Sequence, residues 1–394
     1  MGQGSPALVP HSRELRVLAG TALQRNRQAA APDRARSADG RVTRGGEEFR
    51  LLSLPEAIDR LRSPYAQEEF ASLTGDGVLV VDLPAGEGAL PPAREIDAAC
   101  RGLAQLACPT VGLVPGELSP TVAEVAGAFD VILPGGASEL AVILSRVRAQ
   151  PRASLALVQL LRHNAFLDVH EGLIAESLVY STLQAGPEFT GWLAGRTRGK
   201  RDASTAPAVR VERKGSTLRL TLNRPERHNA FGLALRDGLV EGLQLALSDD
   251  SVKEVVLAGA GPSFSSGGDL DEFGTFPDPA TAHAVRSIRN PGRLLAQLAQ
   301  RGRAEVHGAC IGAGAELPAF LARVTAAPDA YFQLPEVGMG LVPGAGGSVS
   351  LPRRIGRQRT ARLALGGERI DAETALAWGL VDEIREGDPR PVSG

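Results

Sequence analysis

Cysteine, histidine, lysine and aromatic side chains are all scarce in this 394-residue sequence, and each scarcity narrows what the protein can be. The three cysteines, Cys100, Cys108 and Cys310, form no C-x-x-C pair and are too few for a disulfide framework. We therefore expect reduced thiols in a cytoplasmic protein. The six histidines are scattered without the spacing of metal ligands, which argues against a metal site.

Long apolar runs and an excess of one charge are also missing. No stretch of about 18 apolar residues and no signal-like N-terminal segment occurs, so we predict a protein that neither spans a membrane nor is secreted. The 43 basic and 45 acidic residues leave a net charge of −2, which does not favour a nucleic-acid partner. The hydrophobic content of 43% is that of a globular protein with a sizeable core.

Strands and helices alternate in two separate stretches of the sequence. Periodicity and composition divide the chain into a mobile arm over residues 1–48, an α/β segment over 49–137, a helical segment over 138–196, a polar linker over 197–208 and a second α/β segment over 209–394. This alternation predicts an α/β fold in which helices cover the sheets.

A glycine-rich loop, GACIGAGAELPAF (308–320), lies in the second α/β segment. Gly312 and Gly314 could begin a dinucleotide-binding fingerprint, but Leu317 stands where its third glycine should be. Glu316 would also place a negative charge at the helix N-terminus that a pyrophosphate needs. The alternative is that backbone N–H groups point at an oxygen that becomes negative during a reaction, with Glu316 beside it as an acid or base.

Five stretches of this segment carry a more specific signal. In chain order they read LNRPERHNAF (222–231), FSSGGDLDEF (264–273), VHGACIGAGAEL (306–317), FQLPEVGMGLVPGAGGS (332–348) and ERIDAETALAWGLVDEI (368–384). Together they resemble the crotonase, or enoyl-CoA hydratase/isomerase, superfamily. The resemblance implies a crotonase-type spiral of repeated strand-strand-helix units.

The resemblance also implies a set of reacting groups. In crotonases two backbone N–H groups stabilise the enolate oxygen of an acyl-CoA thioester, and these donors match Gly268 and Ala313. In the hydratases two glutamates hold the water that adds across the α,β double bond, and these match Glu316 and Glu336. The implied function is that of a lyase that hydrates an enoyl thioester or dehydrates a 3-hydroxyacyl thioester, without a cofactor.

Substrate binding is implied for residues around these groups. The matching positions are Arg227, Ala230, Ser266, Asp269, Leu270, Asp271 and Gly314. Asp271 departs from the lysine that several hydratases carry there for a CoA phosphate. The carrier of the acyl group is therefore left open between CoA and an acyl carrier protein.

The helices that follow the core in crotonases have a counterpart earlier in this chain. Residues 151–196 resemble that C-terminal segment, and the strands before them resemble a degenerate crotonase half. We expect residues 139–196 to pack on residues 209–384, in the same chain or a neighbouring one, and a homo-oligomer such as a trimer or a dimer of trimers. Arg303 and Glu305, on a strand that is apolar in relatives, predict either a paired ion bridge or exposure of the strand created by the unusual architecture.

Other functions remain compatible with the same residues. An isomerase is the first alternative, and a decarboxylase, a thioester hydrolase or a cofactor-free oxygenase could use the same backbone donors. A non-catalytic subunit that binds acyl thioesters is an alternative of another class. His307 and Cys310, although close to the glycine loop, are interpreted as structural residues.

Overall fold

The computed structural model describes residues 41–86, 92–135, 137–197, 199 and 205–385. The chain divides into two compact units, Met1–Arg148 and Ala149–Gly394. The boundary therefore lies eleven residues after the start of the predicted helical segment at residue 138, because the first helix of that segment is grouped with the N-terminal unit. Most of the predicted arm (residues 1–40) and part of the linker lie outside the described residues.

The first unit contains a five-stranded sheet with the strands in sequential order. A hairpin begins it, and three further strands follow in parallel, each after one or more helices. The strands are β1 (Arg41–Arg44), β2 (Glu47–Ser53), β3 (Leu79–Asp82), β4 (Thr110–Val114) and β5 (Val131–Pro134). The helices are α1 (Leu54–Leu61), α2 (Ala66–Glu69), α3 (Ala93–Gln105), α4 (Pro120–Ala128) and α5 (Glu139–Ala149). Residues 41–48, which were predicted to belong to the mobile arm, instead form β1, a turn and the start of β2.

An apolar core forms between this sheet and its helices. Side chains such as Leu79 and Val81 on β3 pack with Ile58 of α1 and Leu103 of α3, and all four are buried. Buried apolar area of this kind supplies the main favourable term for folding. The hairpin followed by parallel strands repeats the start of the main sheet in the second unit. The degenerate crotonase character of residues 49–137 remains a prediction.

Three helices open the second unit, namely α6 (Pro151–Asn164), α7 (Val169–Gln184) and α8 (Pro187–Ala194). Helix α7 begins at a capping box in which the side chains of Asp168 and Glu171 each accept a backbone N–H of the other residue, which satisfies N–H groups at the helix start. Gly172 lets α7 approach closely, since a Cβ there would lie 3.0 Å from a methyl group of Val349.

Two sheets follow. Their strands are β6 (Val209–Lys214), β7 (Thr217–Leu222), β8 (Glu254–Gly259), β9 (Gly302–Val306), β10 (Ala309–Ile311), β11 (Arg323–Ala326), β12 (Tyr331–Gln333), β13 (Ile370–Asp371) and β14 (Glu383–Ile384). The six-stranded sheet has the order β14, β11, β9, β8, β7 and β6, and the three-stranded sheet has the order β10, β12 and β13. Strand pairs β9–β10 and β11–β12 each give one strand to each sheet, which confirms the spiral of strand-strand-helix units.

Helices connect these strands. They are α9 (Leu233–Ser248), α10 (Pro279–Ile288), α11 (Pro291–Gln297), α12 (Ala313–Glu316), α13 (Gly347–Ile355), α14 (Arg357–Gly366) and α15 (Ala372–Trp378). Helices α6 and α7 pack on α13, and α7 also packs on α10 and α11 of the same chain. Helices α6 to α8 thus belong to the same compact unit as the core.

A network of ion pairs crosses β7, β8 and β9 and includes Arg303 and Glu305, the two charged residues of β9. Glu305 pairs with Arg303 and, at 2.5 Å, with Arg219, while Arg303 Nε lies 2.8 Å from Glu254. These side chains are partly exposed, so each pair contributes little to stability. The charged side chains of this strand therefore form ion pairs, which was the first of the two alternatives. No helix of the described residues is long and apolar enough to cross a membrane.

Candidate active site

Two glycine-containing segments meet beside the start of α12. Ser265 N–H donates to the Ala309 carbonyl at 3.0 Å, and Ile311 N–H donates to the Ser265 carbonyl at 3.0 Å. Gly267 fits because it has no side chain, since a Cβ there would lie 2.9 Å from the Ile311 carbonyl oxygen. The pairing brings residues 265–268 alongside residues 309–313.

The backbone N–H groups of Gly268 and Ala313 have no hydrogen-bond partner among the described residues. The Ala313 amide belongs to the first turn of α12, where N–H groups lack partners within the helix. Gly268 lies next to the Phe273 ring, because a Cβ on Gly268 would lie 2.8 Å from it. These two amides can therefore donate to an oxygen that is not part of the protein.

An aromatic cluster stands beside Gly268. The ring of Phe273 lies 6.2 Å from that of Phe189 and 6.0 Å from that of Trp192, both carried by α8. The helical segment before the core therefore supplies apolar surface close to one of the two unpaired amides.

Glu316 ends α12 and is buried, with 2% of its surface exposed. One carboxyl oxygen, Oε2, accepts the Ala345 N–H at 2.7 Å and the Gly347 N–H at 2.8 Å. Its other oxygen, Oε1, accepts no hydrogen bond from the described residues and can bind another group. Two backbone N–H groups from the end of the stretch that carries Glu336 thus orient Glu316.

Glu336 begins the 3₁₀ turn Glu336–Met339 and faces the Gly312 turn. A Cβ on Gly312 would lie only 2.4 Å from Glu336 Oε1, so the carboxyl packs directly against that backbone. Glu336 Oε2 is buried and accepts no hydrogen bond from the described residues. Both glutamates expected from the sequence therefore adjoin the turn that carries the Ala313 amide.

A third carboxylate at this site, Glu176 of α7, was missed by the sequence reasoning. It is 2% exposed, and it accepts the Gly346 N–H at 2.7 Å and the Ser348 N–H at 2.9 Å. In the sequence it is one acidic residue of an amphipathic helix, and its partners lie 170 and 172 residues further along. No local signal distinguishes such a residue from one that faces solvent.

The three carboxyl groups perturb one another. Burial raises the pKa of Glu336 to about 8 and that of Glu176 to about 7. Burial, with the charges of Glu336 and Glu176, raises the pKa of Glu316 well above its ordinary value, although its two backbone donors favour the ionised form. Three neighbouring carboxyl groups in a dry environment therefore do not all ionise near neutral pH.

The predicted substrate-binding residues occupy the rim of the same region, but several are engaged with the protein itself. Arg227 pairs with Asp269 at 3.1 Å and with Asp271 at 2.6 Å. Asp271 also accepts the Gly199 N–H at 3.0 Å, and this bond, followed by Arg227, lowers the pKa of Asp271.

The remaining predicted positions are partly or fully covered. Ala230, Ser266 and Leu270 are half-buried, and Ser266 N–H donates to the His228 carbonyl at 2.8 Å. Gly314 packs against the Ser265 carbonyl oxygen, which a Cβ would approach to 2.6 Å. All of them adjoin the two segments that carry Gly268 and Ala313.

Asn229 organises the loop at the first motif and was also missed. It adopts a left-handed backbone conformation with φ of 51° and is fully buried. Its side-chain amide donates to the carbonyls of Ala260, Ser263 and Phe264 at 2.9, 2.9 and 3.1 Å. A buried asparagine that ties three carbonyls fixes the approach of this loop to residues 264–268.

His307 and Cys310 have structural surroundings. His307 Nε2 lies 2.9 Å from the Gly261 carbonyl oxygen, and burial strongly raises the pKa of the Cys310 thiol. Neither position favours a nucleophile. Among the described residues, no cluster of three or more histidine, cysteine, aspartate or glutamate side chains could hold a metal ion.

Comparisons with known proteins place these features in a family. The family described as enoyl-CoA hydratase/isomerase matches residues 212–388. The 2,3-dehydroadipyl-CoA hydratase of Escherichia coli (strain K12) is 36% identical over 181 residues, which are 45% of this chain and 69% of that protein. The 1,2-epoxyphenylacetyl-CoA isomerase of the same organism is 38% identical over 42% of this chain and 65% of its own length.

Solved structures give matches of similar extent. The enoyl-CoA hydratase from Thermoplasma volcanium GSS1 shares 34% sequence identity, with a TM-score of 0.42, over 46% of this chain and 72% of that one. The chain thus spans about two thirds of the length of the relatives it matches. The residues that match the family description lie within the second unit.

Proposed function

Because the chain belongs to the enoyl-CoA hydratase/isomerase family and is an enzyme of the crotonase type, we propose that it adds or removes water at the α,β bond of an enoyl or 3-hydroxyacyl thioester. The observation that carries the proposal is the meeting of Glu316, Glu336 and the unpaired Ala313 amide at the Gly312 turn. A single carboxyl group would serve proton transfer alone, whereas two can take one proton from water and deliver another to the α carbon.

The reaction begins at the thioester oxygen. The N–H groups of Gly268 and Ala313 donate to it, so that negative charge can build up as the enolate forms. Two such donors act most strongly on the transition state, and losing one costs about 3 kcal/mol of barrier height. The aromatic cluster beside Gly268 excludes water and strengthens these bonds.

Proton transfer then divides between the glutamates. Glu316, whose Oε2 is held by two backbone N–H groups, accepts a proton from water through Oε1 while the water oxygen bonds to the β carbon. The electrons of the double bond move to the thioester oxygen, and the resulting enolate takes a proton at the α carbon from Glu336. Burial raises the pKa of both carboxyls, so their hydrogen bonds distinguish the two roles. The two N–H donors on Glu316 favour its ionised form, whereas Glu336 Oε2 accepts no hydrogen bond from the described residues and can carry the proton. Transfer of the proton gained by Glu316 back to Glu336 restores the site.

The second candidate is an isomerase, favoured by the 38% identity to 1,2-epoxyphenylacetyl-CoA isomerase. Proton removal from one carbon and return to another requires only one carboxyl group. The two reactions therefore differ in how many of the glutamates they need.

The acyl group is carried on CoA or on the pantetheine of an acyl carrier protein, and no cofactor takes part. Arg227 is paired with two aspartates, which leaves less cationic charge for a CoA phosphate than an unpaired arginine would provide. We place the enzyme in the cytoplasm, as a homo-oligomer.

The test is a panel of enoyl-CoA and 3-hydroxyacyl-CoA thioesters incubated with the full chain and followed by mass spectrometry. A hydratase produces the mass change of one water, whereas an isomerase leaves the mass unchanged and alters retention. Glu316→Gln and Glu336→Gln should each lower hydration by about 10²- to 10⁴-fold. Glu241→Gln, at an exposed carboxylate of α9, is the matched control and should keep full activity. An unchanged rate of hydration in both Glu316→Gln and Glu336→Gln would refute the assignment of these residues as the acid and base.

A further inference from the structure

The loop 345–348 is shared between two carboxylates in a strictly alternating pattern. The N–H groups of Ala345 and Gly347 donate to Glu316, and those of Gly346 and Ser348 donate to Glu176. Four consecutive backbone donors are thereby used by two side chains from different elements. The loop cannot shift along one carboxylate without disturbing its bonds to the other.

The hydrogen bonds around Glu176 favour its ionised form and oppose burial, which raises its pKa to about 7. The Asn164 side-chain amide donates to Ser348 Oγ at 3.0 Å, so the hydroxyl is free to direct its own hydrogen to Glu176 Oε2 at 2.6 Å. Glu176 then accepts from two N–H groups and one O–H group, which is the pattern of an ionised carboxylate. A protonated carboxyl would have to point its hydrogen at one of these donors or displace it.

The position of this negative charge is fixed by α6 and α7. Asn164, which ends α6, also donates to the Ser348 carbonyl at 3.2 Å and is 4% exposed. Arg286 of α10 donates to Ser177 and Ser181 of α7 and provides the favourable cationic interaction with Glu176. Glu176 is therefore held by hydrogen bonds from the loop 345–348 and by the positive charge of Arg286.

We propose that Glu176 is a positioning residue of the reaction: an ionised carboxylate, supplied by the helical segment before the core, that holds the loop 345–348 on Glu316 and keeps the proton of the site on Glu336. This inference rests on the proposed function in assigning that proton to the substrate. Like charges that lie close together in a dry site disfavour each other, so a fixed anion makes ionisation of the other carboxyls harder.

The charged and titratable groups that face Glu176 agree with this role. They are Arg286 on α10, Tyr180 on α7, Glu316 on α12 and Glu336 in the 3₁₀ turn. The charge of Glu176 raises the pKa of both Glu316 and Glu336, whereas Arg286 acts on Glu176 itself in the opposite direction. Removing the charge of Glu176 should therefore lower the pKa of the other two carboxyls.

The experiment follows the carboxyl groups directly, in the full chain labelled with ¹³Cδ glutamate, by NMR between pH 5 and 10. The Glu336 signal is assigned by its loss in Glu336→Gln. In Glu176→Gln its midpoint should fall on the order of one pH unit, the effect of losing a neighbouring like charge at a buried site. Glu176→Asp, which keeps the charge, should return the midpoint toward the original value, and Glu241→Gln should leave it in place.

Activity provides the second readout. If the panel reveals hydration, the basic limb of its pH profile should move down with the Glu336 midpoint in Glu176→Gln. A folded Glu176→Gln protein with an unchanged Glu336 midpoint would overturn the inference. If that variant fails to fold, Ser348→Ala replaces it. Loss of one hydrogen-bond donor should raise the titration midpoint of Glu176 and lower that of Glu336. Unchanged midpoints for both groups would also overturn the inference. Because the titration needs no substrate, a protein without hydratase activity would refute the proposed function while the midpoints still report on Glu176.

Discussion

Gly312→Ala is the substitution that most directly tests the closeness of Glu336 to the reaction loop. Gly312 has φ of 49° and ψ of −118°, a conformation that costs a residue with a side chain on the order of 1–3 kcal/mol. In addition, the new Cβ would lie 2.4 Å from Glu336 Oε1, whereas ordinary contact begins at 3.4 Å. The carboxyl must therefore retreat by about 1 Å, and a displacement of that size costs roughly 100-fold in rate.

The backbone strain and the displaced carboxyl are separated by a control at another glycine. Gly215, in the hairpin between β6 and β7, also has a positive φ, of 61°, but a Cβ there meets nothing within 4 Å. Gly215→Ala should lower the free energy of unfolding by about 1 kcal/mol and leave kcat unchanged. Gly312→Ala should lower both, as measured by urea unfolding and by hydration of the best substrate from the panel.

The refuting result is specific. If Gly312→Ala were destabilised but hydrated its substrate at the original kcat, Glu336 could not be a proton donor at this turn. If instead both variants lost activity equally, the effect would come from backbone strain and not from the carboxyl.

Two further predictions concern stability. Burial raises the pKa of Glu336 from an ordinary 4.5 to about 8, so the folded protein holds a proton that the unfolded chain releases. The contribution of this group to stability is full below about pH 4.5 and is lost as pH rises to about 8; Glu336→Gln should flatten that decline in urea unfolding measured at each pH. Asn229→Ala removes the two side-chain N–H groups shared by three buried carbonyls, which are left unsatisfied, so it should lower the free energy of unfolding by about 3 kcal/mol or more. A loss below 1 kcal/mol in thermal or urea unfolding would show that water replaces the amide.

The parts of the structure that could be predicted are those in which neighbours in sequence act together. Strands β3, β4 and β5 are short apolar runs inside the α/β segment predicted over residues 49–137, and such runs are a local signal for buried strands. The Gly312 turn could also be located, because a glycine with an unusual backbone, an unpaired amide at Ala313 and a carboxylate at Glu316 lie within five residues. Their catalytic roles stay predictions.

The parts that could not be predicted depend on partners far away in the chain. Glu176 has the spacing of a residue on an amphipathic helix, and only the arrival of residues 346 and 348 gives it donors. Asp271 could be noted as a departure from the resemblance, but the sequence does not reveal that Arg227 and the Gly199 N–H would meet it. Pairing at such distances is set by packing of the whole unit, which local propensity does not contain.

The position of the helical segment before the core has a simple physical explanation. Fourteen residues separate the end of α8 at Ala194 from the start of β6 at Val209, and an extended chain of that length spans up to about 50 Å. Such a connection does not dictate which side of the core the helices reach. The loop 345–348 donates backbone N–H groups to the Glu176 carboxylate and accepts a hydrogen bond from the Asn164 amide. These two side chains are carried by the packed helices α7 and α6. These hydrogen bonds therefore constrain the position of α6 and α7 more than the length of the connection does.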